Sequence, residues 1–329
     1  MRTNRSLSFS LIICTYKRAE SLKRLLDSVN QQSLYPDEII VVDGSPDDLT
    51  SLLLKSDPFK NLKYFKVNSS DRGLTKQRNY GIAQSAEVDI ICFLDDDIVL
   101  LPDYFSGLIA SYHQVNAIGI GGWIEDDTKW QKVATDFRPS KDTFVFDHYQ
   151  RKLGMRHALR KRLHLEPDKP PGWMPDFSHG YSTGFLPPSG KIYEVEYFMG
   201  GVSSYRKELF QEITFSSYYQ GYGLYEDMDF CLRASRLGKL YLHTGAKVLH
   251  LHEEAGRPNF YKYGKMVVIN GFRVWRLKFP KPSAKAKGKW YIITLLLTFI
   301  RLINFLQGDK SGLEDFKGRV SGLINLFND

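Results

Sequence analysis

The sequence predicts an α/β fold: a mostly parallel central sheet flanked by helices, with a helical appendage at the C-terminal end. Three observations carry this. The first hundred residues alternate short apolar, β-branched runs with segments whose apolar residues recur at helical spacing. The run Ile90-Ile91-Cys92-Phe93-Leu94 passes directly into Asp95-Asp96-Asp97, an acidic end on a buried strand. Beyond Arg257 the composition changes to a basic stretch followed by an apolar helix.

Taken in order, Ser8 to Cys14 reads as a first core strand. Arg2 and Arg5 ahead of it imitate a signal peptide, but the apolar stretch is short and Lys17 and Arg18 follow it instead of a cleavage site. Ala19 to Gln31 places Leu22, Leu25, Leu26 and Val29 on one helical face. Glu38 to Val42 is a second buried strand ending in the turn Asp43-Gly44-Ser45-Pro46. Leu62 to Val67 is a weaker strand, Leu74 to Ser85 a helix, and Asp89 to Leu94 the strand that carries the acids. A helix over Pro102 to His113 leads to Ala117 through Trp123. Residues 124–196 lose this regularity and read as a loop-rich insertion of the kind that builds a substrate site on a rigid scaffold. Regularity returns at Val202 to Phe210, in a helix over Met228 to Leu237, and in a strand near Ala246 to Leu251.

Composition bounds the chemistry. Cys14, Cys92 and Cys231 fall in core-like segments and read as reduced thiols of a cytosolic protein, with no Cys/His cluster that would argue for zinc. The net charge of +8 belongs to one region: the window from Arg257 to Lys289 holds ten Lys and Arg and no acid, leaving 35 basic against 37 acidic residues elsewhere. That window lacks any nucleic-acid-binding motif.

Desolvating carboxylates at the end of a core strand is costly unless a cation or donors meet them. Ligands of open α/β sheets bind at strand carboxyl ends, and this density of oxygens suits Mg²⁺ or Mn²⁺ shared with a phosphate. An acidic turn capping the next helix is the plainer alternative for one acid, not for three. Asp43 ends its strand in the same way and could meet a base or ribose, or simply start the turn. Two acid-bearing strand ends together favour a nucleotide. Gly73 ahead of Lys76 and Arg78 at a helix start is compatible with phosphate. Gly119, Gly121 and Gly122 do not open a helix and are no dinucleotide motif. Glu226 and Asp227 begin a helix, where they either cap it or supply a general base, and Asp229 and Arg233 are spaced to pair. His250 and His252 alternate on a strand, so only one of them can face a site.

These residues add up. Cys14-Thr15-Tyr16-Lys17-Arg18, Glu38 to Asp43, Gly73 through Arg78-Asn79 to Gly81, Phe93 to Asp97, Gly200-Gly201 ahead of Tyr205-Arg206, Tyr225 to Arg233, and Val248-Leu249-His250 occur in that order. The ordered set, from about Ser8 to His252, closely resembles family 2 glycosyltransferases of the GT-A fold. The resemblance implies inverting transfer from a nucleotide-diphosphate sugar, with Mg²⁺ or Mn²⁺, to a saccharide or lipid-linked acceptor in surface polysaccharide or glycolipid assembly. It implies donor contacts from Thr15, Tyr16, Asp43, Arg78, Asp95 and Asp96, and metal ligation by Asp97 with Asp95 and His250. Asp227 would be the base, with Glu226 beside it. Gly200, Gly201, Trp123, Trp173 and Tyr222 are expected around the acceptor, and Tyr181 is a further candidate stacking ring. The sequence departs from the pattern at Gly44, where a second acid often stands, and at Lys17, where Asn is frequent.

On this basis residues 6–256 form the GT-A domain, with 6–100 the nucleotide-binding half and 101–256 the acceptor-binding half that includes 124–196. Residues 257–329 are a basic, apolar-helix region. Within Trp290 to Leu306, Thr294, Thr298, Arg301 and Asn304 form one polar stripe, which suggests an interfacial helix on an anionic membrane. The alternative is a helix packed on protein, including a second subunit. Peripheral association with the inner face of the cell membrane follows from the first reading. Two rival functions remain at this level: a phosphohydrolase of the haloacid dehalogenase type using Asp95 and Asp97, and a non-catalytic nucleotide-sugar-binding protein.

Overall fold

A computed structural model of the chain describes residues 6–251 and 259–328. Its elements in chain order begin with β1 (Phe9–Thr15), α1 (Ala19–Asn30), β2 (Glu38–Asp43), α2 (Leu49–Ser56), β3 (Leu62–Lys66), α3 (Leu74–Gln84), β4 (Ile90–Asp95) and β5 (Ile98–Leu100). They continue with α4 (Tyr104–Gln114), β6 (Ala117–Glu125), β7 (Gln131–Lys132), β8 (Thr143–Phe146), β9 (Tyr149–Lys152), α5 (Met155–Arg162), β10 (Ile192–Val195) and β11 (Val202–Arg206). The last are α6 (Leu209–Glu212), α7 (Glu226–Ala234), β12 (Lys239–His250), α8 (Phe260–Lys278), α9 (Ala284–Leu306) and α10 (Lys310–Asn328).

Two compact units result: Met1–Asp126 with Pro188–Arg257, and Asp127–Pro187 with Pro258–Asp329. The sequence reading gives 124–196 to the acceptor-binding half; in the structure residues 127–187 instead cluster with the C-terminal helices. The aromatic and proline-rich stretch is therefore a partner for those helices, a long-range pairing that local sequence does not encode.

In the first unit the sheet runs β10-β12-β6-β11-β4-β1-β2-β3, with β5 pairing to β12. The β4-β1-β2-β3 half is parallel throughout. The other half is mixed, because β11 runs antiparallel to both β4 and β6. Burial explains the strand runs: every residue of β2 is buried, as are the first five of β4. Leu22, Leu25, Leu26 and Val29 of α1 are buried against them, on the face their spacing predicts. Gly119, Gly121 and Gly122 lie inside β6, where a Cβ would run into the rings of Tyr205, Phe198 and Tyr104; they serve packing.

The second unit has a small sheet, β7-β9-β8, beside α5 and a cluster of Leu153, Tyr181 and Phe185. Its helices are fastened by indole stacking: Trp275 of α8 lies on Trp290 of α9 at 5.4 Å with rings 4° from parallel. The Trp275 indole also donates to the Asp176 carbonyl at 2.7 Å.

Candidate active site

The site grows from the C-terminal ends of β1 and β4 in the first unit. Parallel pairing brings Cys14 level with Asp95, so the β1–α1 turn and the acidic turn after β4 face one another. Between them is a cavity of about 260 Å³, lined by Thr15, Tyr16, Arg18, Arg72, Gly73, Gln77, Asp95, Asp96, Gly221 and Tyr222 among others. Tyr16 is flanked by cations, with the Arg72 guanidinium 5.3 Å and the Lys17 ammonium 5.6 Å from its ring centre. Lys17 has φ 57°, the left-handed region that Asn enters more readily than Lys. Gln77 holds the floor, donating to the carbonyls of Thr15 and Val42 at 3.2 and 2.8 Å.

The three acids after β4 have three different environments. Asp95 faces the cavity, and its side chain is 39% exposed. Asp96 is buried, accepting from the Thr15 hydroxyl at 2.7 Å and from Arg18 at 2.9 Å. Burial pushes its carboxyl up, to about 6, against the pull of Arg18. Asp97 is buried too, with His250 Nε2 at 3.0 Å from one oxygen and Arg18 at 3.4 Å from the other. His252 lies outside the described residues.

A second network sits behind Asp95. Arg78, 2% exposed, pairs with Glu226 and reaches Asp95 at 3.3 Å, and its guanidinium stands over the rings of Phe93 and Phe215. Burial pushes the Glu226 carboxyl up, to about 8, while Arg78 opposes the shift. Gly200 and Gly201 make room for this network. A Cβ on Gly200 would lie 2.6 Å from Arg78 Nη1, and one on Gly201 would overlap the Asp95 carboxylate. Asp227 is held differently: its oxygens accept from the amides of Met228 at 2.7 Å and Gly200 at 3.3 Å, and the side chain stays partly open. Burial raises its pKa, and the two amide bonds work against that rise.

Several expectations from sequence are redirected. Asp43 is fully buried and both its oxygens are taken, by the Ser45 amide at 2.7 Å and the Tyr64 hydroxyl at 2.9 Å, so it caps its turn and does not line the cavity. Arg78 is likewise absent from the cavity wall; burial commits it to carboxylates, and the cations that line the cavity are Arg18 and Arg72. Trp123 is 4% exposed beneath Lys247, so its ring is packed and offers no open platform. Gly200 and Gly201 back the Arg78 network. Trp173 and Tyr181 belong to the second unit. Thr15, Tyr16, Asp95, Asp96 and Tyr222 do come together around the cavity.

Could these residues hold a divalent ion? Among the described residues no group of three or more acidic, His or Cys side chains is gathered for one. Asp97 with His250, and Asp95 in the cavity wall, nonetheless offer carboxylate oxygens and an imidazole. That set suits Mg²⁺ or Mn²⁺ when phosphate oxygens complete the shell, so the residues fit.

Comparison with known proteins agrees with this architecture. Over 94 residues the chain is 36% identical to the O-antigen chain rhamnosyltransferase RfbN of Salmonella typhimurium, a match covering 29% of each protein. Over 141 residues it is 28% identical to the glucosyl-dolichyl phosphate glucuronosyltransferase of Haloferax volcanii, covering 41% of this chain and 43% of that one. The matches thus span less than half the length of these relatives. The mannosyltransferase PcManGT from Pyrobaculum calidifontis, solved with GDP-Man and Mn²⁺, aligns over 97% of this chain and 88% of its own, with a TM-score of 0.56 at 12% identity. It shares the GT-A fold. Residues 10–213, most of the first unit and part of the second, match the glycosyl transferase family 2 sequence pattern, and the chain belongs to that family.

Proposed function

We propose that the protein is a metal-dependent, inverting glycosyltransferase that moves a sugar from a nucleotide-diphosphate donor to a saccharide or lipid-linked acceptor. The observation that carries this is the unequal treatment of the Glu226-Asp227 pair. Glu226 is buried and locked to Arg78, so it positions; Asp227 is only partly buried and is fixed by two backbone amides, with no cationic partner locked to it among the described residues. A carboxylate so placed can take a proton from an acceptor hydroxyl.

The donor's base would lie against Tyr16 between Arg72 and Tyr222, with its diphosphate toward Arg18 and Asp95. A divalent ion on Asp97, His250 and Asp95 would offset the charge that grows on the departing diphosphate. The acceptor oxygen attacks the anomeric carbon while the bond from that carbon to the phosphate oxygen breaks. The hydroxyl proton passes to the Asp227 carboxylate. Single displacement inverts the anomeric centre. The mixed rim of rings and carboxylates suits a carbohydrate acceptor, and the reading places the reaction at the inner face of the cell membrane, in surface polysaccharide or glycolipid assembly.

The phosphohydrolase alternative falls with the family assignment. Catalysis against mere binding is decided by Asp227→Asn, which keeps shape but removes proton acceptance. We expect turnover to fall by roughly 10²-fold or more with donor affinity unchanged. Glu226→Gln should cost stability through Arg78 and leave the pH profile of turnover in place. Near wild-type turnover in Asp227→Asn would overturn the assignment.

A further inference from the structure

We propose that the outer face of α9 is a docking surface for an anionic lipid bilayer, with Ile292, Leu295, Phe299, Ile303 and Leu306 entering the interface. The inference rests on the proposed action at a membrane face and names the surface that would achieve it. The helix is built inside out. Its polar residues are turned into the second unit: Thr294 and Thr298 are 5% and 1% exposed, and their hydroxyls donate to the carbonyls four residues back, at 2.7 and 2.8 Å. Arg301 donates to Asp315 at 2.6 Å, and Asp315 is itself buried and shared with Arg319.

The opposite face is apolar and open. Ile292, Leu295, Phe299, Ile303 and Leu306 are 54%, 43%, 54%, 44% and 75% exposed. At about 100° per residue they fall within one narrow sector, and at 1.5 Å rise they form a stripe roughly 21 Å long. A helix in water keeps the reverse arrangement. Contiguous apolar surface of this length marks an interaction site.

Charge chooses the occupant. No acid occurs from Arg257 to Leu306, and the ten cations before Trp290 continue onto α9, where exposed Lys285 shares the sector of the apolar stripe. Anionic headgroups complement such a segment, whereas a second copy of the chain would set two acid-free segments against each other. The helix is anchored through Trp290 and its buried polar face, so it lies on the bilayer and does not cross it.

The test is flotation of the full chain with phosphatidylcholine vesicles, with and without 30% phosphatidylglycerol (~0.3 mole fraction), over a salt series. We expect binding to the anionic vesicles, weakened at least about tenfold by Leu295→Glu with Phe299→Glu. Both positions are solvent-exposed, so the variant should keep its wild-type circular dichroism and nucleoside-diphosphate binding. Lys281, Lys285 and Lys287→Gln should remove the salt-sensitive part only. Absence of vesicle binding by the intact protein, wild-type binding by the Glu variant, or a solution dimer that the Glu variant dissociates would each overturn the proposal. Nucleotide binding by the first unit is read separately, so failure here is distinct from failure of the proposed transferase activity.

Discussion

Replacing Arg78 by methionine isolates the interaction that organises the site. The guanidinium is 2% exposed and the Glu226 side chain 6%, so the pair is shielded from water and salt. Removing Arg78 leaves a carboxyl that must protonate or stay charged without a partner, so the loss is read at about pH 9, above the value of about 8 to which burial raises Glu226, where it reaches about 3–5 kcal/mol. Asp95, at 39% exposure, adds little to that sum. Methionine keeps apolar contact with Phe93 and Phe215, so the loss reports mainly on charge. Urea unfolding of Arg78→Met, Glu226→Gln and the double variant completes the cycle. The double variant should recover much of the loss, because both charges leave together. It should also bind a nucleoside diphosphate within about tenfold of wild type, or ~1.4 kcal/mol, since Arg78 does not line the cavity. A loss below about 1 kcal/mol in Arg78→Met, or additive single losses, would refute the buried-pair account. Abolished nucleotide binding in a stable double variant would return Arg78 to the phosphate role the sequence suggests.

Two further outcomes are expected. Arg18 holds Asp96 and Asp97, so Arg18→Met should raise the affinity of the nucleotide-free protein for Mn²⁺, read as loss of the free-ion paramagnetic resonance signal; unchanged or weaker binding would contradict it. His157 is 6% exposed among Arg156, Arg160 and Arg151, and burial followed by these charges lowers its pKa to about 3. The unfolded chain therefore binds more protons below pH 6.5, and stability falls with pH there, by about 2 kcal/mol at pH 5 from this residue. His157→Gln should flatten that slope in thermal melts, and an unchanged slope would refute it.

The fold was legible because burial leaves a local trace: β2 and β4 read as buried strands, and α1 shows its inner face by spacing. The sequence points to Thr15, Asp95 and Asp96 at strand ends, and in the folded chain these three line one cavity. Where charge turns inward, the local sequence does not show where a side chain ends up. Arg78 and Asp43 look like ligands in sequence because a guanidinium or carboxylate near a turn is usually wet; only the folded chain reveals Glu226 and Tyr64 beside them. Arg72 and Gln77 leave no local trace of their place at the cavity because their partners lie on other elements. Arg18 stood within a recognised motif without a role. In α9 the spacing shows a polar stripe, but which side faces protein depends on Asp315, a contact across helices.

The central claim is a divalent-dependent donor site at the ends of β1 and β4. Calorimetric titration of nucleoside diphosphates with Mn²⁺ tests it most directly, on wild type, Asp97→Ala and Arg72→Ala. The account expects one nucleoside diphosphate to bind wild type, with most of the affinity lost on adding EDTA or in Asp97→Ala, and a smaller loss in Arg72→Ala. Binding unaffected by EDTA and by Asp97→Ala, or no binding by any nucleoside diphosphate, would contradict it.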